Sequence, residues 1–394
     1  MIFIGPLFAQ ERENEIMANS KCGIMNASNQ FQVDLLQGFL ANNVDMKVIN
    51  ALPVGTWPRH YRRLILPNEE WRIGNARCNA VGCVNLPVIK QWQREVRVRR
   101  MLKKMTKSDK EIVIYSAYLP FLRAIEKLPA EVKVTLIVPD LPEFYDLGKT
   151  SGIRRVLRRI NNRLIDKCLQ RVDRYVLLTE QMAVKLGIQD KPYTVVEGIW
   201  NAKNVVPEDL PEAEESKVIL YAGTLHRKYG IETLLDAFTL VKDPKAQLWI
   251  CGSGDMTEEI CKHAQKDTRI QYKGYVSSEE VACLCRKATV LVNPRPNEGE
   301  FTKYSFPSKT MGYMASGKPV IMNKLDGIPS EYDPYLIYAT DNSSQALASA
   351  LQKVLDMSNE ERIAFGSMAK KFVNTQKTSC VQAKKILDLI ARNE

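Results

Sequence analysis

From residue 217 onward, short apolar runs alternate with stretches whose apolar residues recur at steps of three and four. "VILYAG" (218–223), "AQLWICG" (246–252), "RIQYKG" (269–274), "ATVLVNP" (288–294) and "KPVIMN" (318–323) have the length and β-branched content of buried strands. After the first of them, Ile231, Leu234, Leu235, Phe238 and Val241 share one helix face. Strands alternating with helices of this length predict parallel βαβ units and a doubly wound sheet. Ligands of such sheets sit beyond the carboxyl ends of the strands. Glycines and polar residues just after these runs are therefore the candidates for chemistry.

The first half has the same character with longer insertions. "IFIGPLF", "MKVINALP", "EIVIYSAYLP", "VTLIVPDLP" and "RYVLLT" predict strands, and "SNQFQVDLLQGFLANN" predicts a helix capped by Ser28. "NAKNVVPEDLPEAEESK" (201–217) is rich in proline and acid and has no periodicity, as expected of a linker. The segments around "NEERIAFGSMAKKFV" and "VQAKKILDLIARNE" predict two terminal helices. The chain is thus expected to be α/β, with two Rossmann-like, doubly wound domains facing a cleft, the default place for a ligand. Residues 1–200 form the first domain, 201–216 the linker and 217–372 the second domain. Residues 373–394 form a helix able to pack back on the first.

Composition narrows the class. Hydrophobic residues at 45% and charged residues at 26% are those of a soluble globular protein. No run approaches the ~18 apolar residues of a membrane span, and "MIFIGPLFAQERENE" lacks the basic start of a signal peptide. The nine cysteines are odd in number and never spaced CxxC, which favours reduced thiols and the cytoplasm over a disulfide framework or zinc site. The net charge of +11 is localised: residues 90–174 hold 21 basic and 10 acidic side chains, which accounts for all of it. Within that segment, "IRRVLRRINNRLIDKCL" (153–169) places Ile153, Val156, Leu157, Ile160, Leu164 and Cys168 on one face and arginines on the rest. "KQWQREVRVRRMLKKMTK" (90–107) is similar and includes Trp92. Such helices can lie on anionic lipid; no nucleic-acid motif accompanies the charge.

Three strand-to-helix turns carry candidate chemistry. In "YAGTLHRKYGIETLL" (221–235) the strand ends near Gly223 and Thr224, and Arg227 and Lys228 precede the next helix, as in an anion site. "ICGSGDMTEE" (250–259) supplies Gly252, Ser253 and Gly254, though not as GxGxxG. The strand ending near Arg295 leads through "PNEGEFTKYS" to Pro307, placed for a first helical turn, with Ser308 and Lys309 at that helix's positive end. Gly312 then falls inside the helix, where glycine costs about 1 kcal/mol relative to alanine. Asp140 in "VPDLPEF" follows a first-half strand, a place for an acceptor-binding group, a base or a capping carboxylate.

Together "YAGTLHRKYGIETLLDAF", "CGSGD", "YKGYVSSEEV" and "NPRPNEGEFTKYSFPSKTMGYMASGKPVI" resemble a retaining family 4 glycosyltransferase of GT-B architecture, of the kind found in bacterial capsule and exopolysaccharide assembly. "NASNQFQ", "IVPDLPEF", "LLTEQM" and "VEGIW" are looser matches in the first half. The resemblance implies a second domain that holds a nucleotide-sugar donor and a first domain that takes the acceptor, which the basic segment and the lack of a span suggest is polyprenyl-linked, or else an oligosaccharide. By analogy Arg227 and Lys228 neutralise the diphosphate, and Asp140, from its place after a first-half strand, is the acceptor-side candidate. Gly223, Thr224, Gly252, Ser253, Gly254, Arg295, Pro307, Ser308, Lys309 and Gly312 bind the donor. It implies no metal or cofactor, while the thiols and the basic helices add the expectation of work in the cytoplasm on the inner face of an anionic membrane, without nucleic acid.

One departure matters. The family pattern has two glutamates separated by seven residues, the second just before "YMASG" and implied to bind the nucleotide ribose. This chain has Gly312 there and Tyr304 eight residues earlier. Losing such a charged partner costs roughly 1.5 to 3 kcal/mol, about ten- to a hundredfold in affinity. Glu298 and Glu300 are the nearby carboxylates that could substitute. The alternative expectation is a GT-B relative that has lost turnover and serves as a partner subunit.

Overall fold

A computed structural model describes residues 1–141, 152–201 and 217–392, with no account of the side chains at 153–158 and 278. Two compact units emerge: residues 1–199 with 379–394, and residues 200–378. The linker expected at 201–216 lies, from residue 202 on, outside the described residues.

The first unit is built on β1 (Ile2–Gly5), β2 (Lys47–Asn50), β4 (Glu69–Ile73), β5 (Ala76–Ala80), β7 (Glu111–Tyr115), β8 (Lys133–Val138), β9 (Arg174–Leu177) and β10 (Tyr193–Val195). A separate pair, β3 (Ile65–Leu66) and β6 (Cys83–Val84), stands apart. The main sheet runs β10-β9-β8-β7-β1-β2-β5-β4 and is parallel except for the β4–β5 hairpin at one edge. The helix Ser379–Ala391 belongs to this unit, where Ala383, Ile386 and Leu389 join the core of Leu35, Leu36 and Phe39.

The second unit has β11 (Lys217–Ala222), β12 (Ala246–Cys251), β13 (Ile270–Gly274), β14 (Val290–Asn293), β15 (Val320–Asn323) and β16 (Ile337–Ala339) in the order β13-β12-β11-β14-β15-β16, all parallel. Alternation along a strand sends successive side chains to opposite faces. Ile219, Tyr221, Leu248 and Ile250 accordingly join one core with Leu234, Leu235 and Leu351. Val218, Leu220, Ala222 and Leu291 join another with Met311, Met314 and Phe372. A sheet covered on both faces needs the near-continuous apolar strands seen in the sequence.

Four local expectations change. Ser28 does not cap its helix, which starts earlier, at Asn26–Ala41 with Met25 as N-cap; the Ser28 hydroxyl instead lies 3.4 Å from that of Tyr115. The helix after Pro307 is only Lys309–Ala315, with Ser308 as N-cap, too short for much of a dipole. In the helix Pro87–Met105, Lys90 and Arg94 point inward, 4% and 3% exposed. Arg94 donates to the Leu52 carbonyl (2.6 Å) and the Tyr118 hydroxyl (3.1 Å), and Lys90 to the Val54 carbonyl. In the helix Ile153–Leu169, Ile165 and Cys168 are buried while Ile160 is exposed, so the apolar face is rotated from the one expected. The side chains of Ile153, Val156 and Leu157 lie outside the described residues.

Candidate functional site

The carboxyl ends of β11, β12 and β13 meet the helix Lys309–Ala315 around a cavity of about 800 Å³ within the second unit. Backbone bonds zip the first two turns together: Gly223 N donates to Cys251 O (2.8 Å), Leu225 N to Ser253 O (2.9 Å) and Met256 N to Leu225 O (2.9 Å). Gly252 has φ +133°, and a Cβ there would overlap the Gly223 carbonyl oxygen. Only glycine therefore permits this approach of the two turns.

The helix is fixed by Tyr313. Its buried hydroxyl accepts from Ala222 N (2.8 Å) and donates to Ala222 O (3.0 Å), at the end of β11. This bond places Lys309, one turn earlier, with its ammonium against Gly223 and 5.1 Å from the centre of the Tyr221 ring. A side chain at Gly223 would collide with that ammonium. Among the described residues Lys309 has no carboxylate partner, and burial lowers its pKa from the usual lysine value to about 8.

The loop after β13 and the helix Ser278–Lys287 add an apolar wall of Val276, Val281, Ala282 and Cys285, with Tyr275 beside it, 82% exposed. Ser277 and Glu280 hold this helix start in a capping box. Trp200 closes over Gly312. Its Nε1 donates to Asn374 Oδ1 (2.8 Å), and a Cβ added at Gly312 would lie 3.8 Å from its ring, an ordinary contact.

The structure thus brings together Gly223, Thr224, Gly252, Ser253, Gly254, Lys309 and Gly312. Arg227, Lys228, Arg295, Pro307 and Ser308 are not among the lining residues. Arg227 is exposed and ion-paired with Glu232, which raises its pKa. Lys228 lies over the Tyr229 ring at 5.1 Å. Arg295 is buried, packed 4.6 Å from the Phe301 ring centre and donating to Ser305 Oγ (2.8 Å), which makes it a support of the loop. Glu298 and Glu300 are exposed and do not line the cavity.

Sequence reasoning passed over Trp200, Tyr275, Tyr313, Arg286 and Lys370 and set His226 aside as a lone loop histidine; all six line the cavity. His226 Nδ1 lies 3.2 Å from Asp255 Oδ2, and Asp255 Oδ1 accepts from Arg227 N (3.1 Å). "YKGYVSSEEV" was a signal for Tyr275, whereas nothing local marks Lys370, on a distant helix. Asp140 belongs to the first unit, where surrounding protein raises its carboxyl pKa. It keeps an exposed surface.

Residues 216–357 match the family model described as glycosyl transferases group 1. The probable glycosyltransferase WbjE of Pseudomonas aeruginosa is 30% identical over 191 residues, 44% of this chain and 46% of that protein. The chain therefore spans less than half the length of this curated relative. Sucrose-phosphate synthase from Thermosynechococcus elongatus superposes with a TM-score of 0.65 at 15% identity, covering 100% of this chain and 99% of that one. Anabaena Alr3699/HepE, solved in complex with UDP, gives 0.64 at 11% identity with 100% of both chains covered. In sequence the second unit is thus similar to group 1 glycosyl transferases, and the chain has the α/β GT-B fold of glycosyltransferases.

Proposed function

We propose that the protein is a retaining glycosyltransferase of family 4 type. It moves a sugar from a nucleoside-diphosphate donor held by the second unit to a polyprenyl-linked or oligosaccharide acceptor taken by the first, in cell-surface polysaccharide assembly. The observation that carries this reading is the Lys309 ammonium, seated on Gly223 in the cavity that also holds the Gly252–Gly254 turn. Breaking the anomeric C–O bond leaves negative charge on the nucleotide diphosphate. A preorganised cation acts where that charge develops. The wall of Val276, Val281 and Ala282 beside Tyr275 suits a flat nucleobase. Asp140 is the acceptor-side carboxylate of this reading. The proposed reaction invokes no metal or cofactor, and its place of work is the cytoplasmic face of a membrane.

Calorimetry with UDP and GDP, followed by donor hydrolysis, tests the proposal. UDP comes first because HepE was solved with it. Binding followed by slow hydrolysis supports transfer. Nucleotide binding with neither hydrolysis nor transfer supports the second reading, a partner subunit, for which Gly312 is the observation. Neither nucleotide binding would remove both.

Gly312→Glu is expected to tighten nucleotide-sugar binding about ten- to a hundredfold, the worth of a charged hydrogen bond to the ribose. The position lines the cavity, and Trp200 leaves room for a Cβ. Unchanged or weaker donor affinity by titration would show that the ribose is held another way.

A further inference from the structure

Six of the exposed large apolar side chains of the first unit lie on segments bonded to one another. Trp57, Leu64, Ile65, Val88, Ile89 and Trp92 are all exposed, Val88, Ile65 and Trp92 most of all at 81%, 68% and 61%. Asn85 ties their segments together: its N donates to Leu64 O (2.7 Å), and its carbonyl accepts from Trp57 N (2.9 Å). Its side-chain amide donates to Gly55 O (3.0 Å) and Arg63 O (3.2 Å). Ile65 pairs with Val84 between β3 and β6. The helix Pro87–Met105 starts two residues after Asn85, with Val88 and Ile89 in its first turn and Trp92 one turn on. Beneath the patch, Lys90 and Arg94 pin the Val54 and Leu52 carbonyls, so these two cations brace the surface instead of facing solvent.

The charge around the patch is mainly positive, and the acids nearest to it, Glu15 and Glu95, are ion-paired with Arg63 and Arg99, each at 2.6 Å. Arg59 and Arg62 are exposed and have no carboxylate partner among the described residues. Residues 51–68 and 81–94 contain no acidic residue. Arg100 and Lys103 continue exposed charge along the side of the helix that carries Trp92. No described helix is long and apolar enough to cross a membrane. Exposed apolar side chains on segments held together in this way mark an interaction site. Aliphatic and tryptophan side chains rimmed by arginine, with the neighbouring acids Glu15 and Glu95 already ion-paired, suit the boundary between anionic headgroups and acyl chains.

We infer that this face docks the first unit on an anionic lipid surface. Val88, Ile65 and Trp92 enter the headgroup boundary, while Arg59 and Arg62 meet lipid phosphates. The inference deepens the proposed function and rests on it for purpose, because a lipid-linked acceptor would be presented at such a surface.

Flotation of the full chain with vesicles of phosphatidylcholine alone, or mixed with phosphatidylglycerol, tests it at low and high salt. The expected result is binding to the mixed vesicles that weakens with salt. Val88→Asp/Trp92→Asp and, separately, Arg59→Glu/Arg62→Glu should each reduce it by about tenfold or more. Donor hydrolysis in solution should be unchanged in both variants, which also shows that they are folded. Hydrolysis without any vesicle binding by the natural chain overturns the docking and leaves the proposed function standing. Vesicle binding without hydrolysis does the reverse. Variants that bind like the natural chain overturn the assignment of this face. So does a dimer by size-exclusion chromatography that Val88→Asp/Trp92→Asp turns into a monomer, which would give the face to a second copy.

Discussion

Replacing Lys309 by Met is expected to lower kcat/KM for the nucleotide-sugar donor by about 10²- to 10³-fold, the usual cost of removing one preorganised charge-stabilising group. Methionine keeps the length and apolar stem of lysine, so packing against Tyr221 should survive. The loss should fall on the diphosphate: affinity for UDP should drop far more than affinity for uridine. Arg227→Ala and Lys228→Ala should each cost less than about threefold, because Arg227 is already paired with Glu232 at the surface and Lys228 is stacked outside the cavity. A pH profile sharpens the test. Free Lys309 titrates at about 8, and kcat/KM reports the free enzyme. Its charge is complete below that value, so kcat/KM should fall as pH rises through about 8. Lys309→Arg should move this limb out of range, since arginine stays charged. Equal losses in Arg227→Ala and Lys309→Met, or a profile that Lys309→Arg leaves unaltered, would count against the assignment.

The contrast between Lys309 and the Arg227–Lys228 pair shows where sequence reasoning stopped. All three were visible as cations near strand ends, and both glycine turns were visible too. Which cation is spoken for depends on Glu232, five residues beyond Arg227 across a turn, and on the Tyr313 hydroxyl that seats the Lys309 helix on β11. The strands of the second unit were legible because burial on both faces leaves a strand almost no polar positions. The β4–β5 hairpin was not, since "EEWRIGNARCNA" has four charged residues and five exposed ones among twelve and lies at a sheet edge. Strand β16 and the helix Ser344–Asp356 were passed over as well. Periodicity also counts every lysine as outward. Lys90 and Arg94 are inward because two loop carbonyls, at Leu52 and Val54, wait for donors there, and no local pattern announces that.

Lys90 should give the protein a pH-dependent stability that Lys90→Met removes. Burial first, and the Arg94 guanidinium one turn on second, lower its pKa to about 7, with Cys83 opposing them. The folded pKa is thus depressed below the ordinary lysine value of about 10.4. Between these two values the unfolded chain binds more protons than the folded one, so raising the pH favours the folded state. Below about pH 7 both states hold the proton, and the cost of keeping a charge inside is at its full value. From pH 7 to about 9.5 the natural chain should therefore gain on the order of 3 kcal/mol relative to Lys90→Met. At pH 6 the variant should be the more stable of the two, since the desolvation it relieves exceeds the one charged bond lost to the Val54 carbonyl, roughly 1.5 to 3 kcal/mol. Other groups titrate in the same range, Lys309 among them, but they are common to both proteins and cancel in the difference. Denaturant unfolding of the two chains across this range is the measurement, and parallel stability curves would mean that Lys90 carries the same proton folded and unfolded.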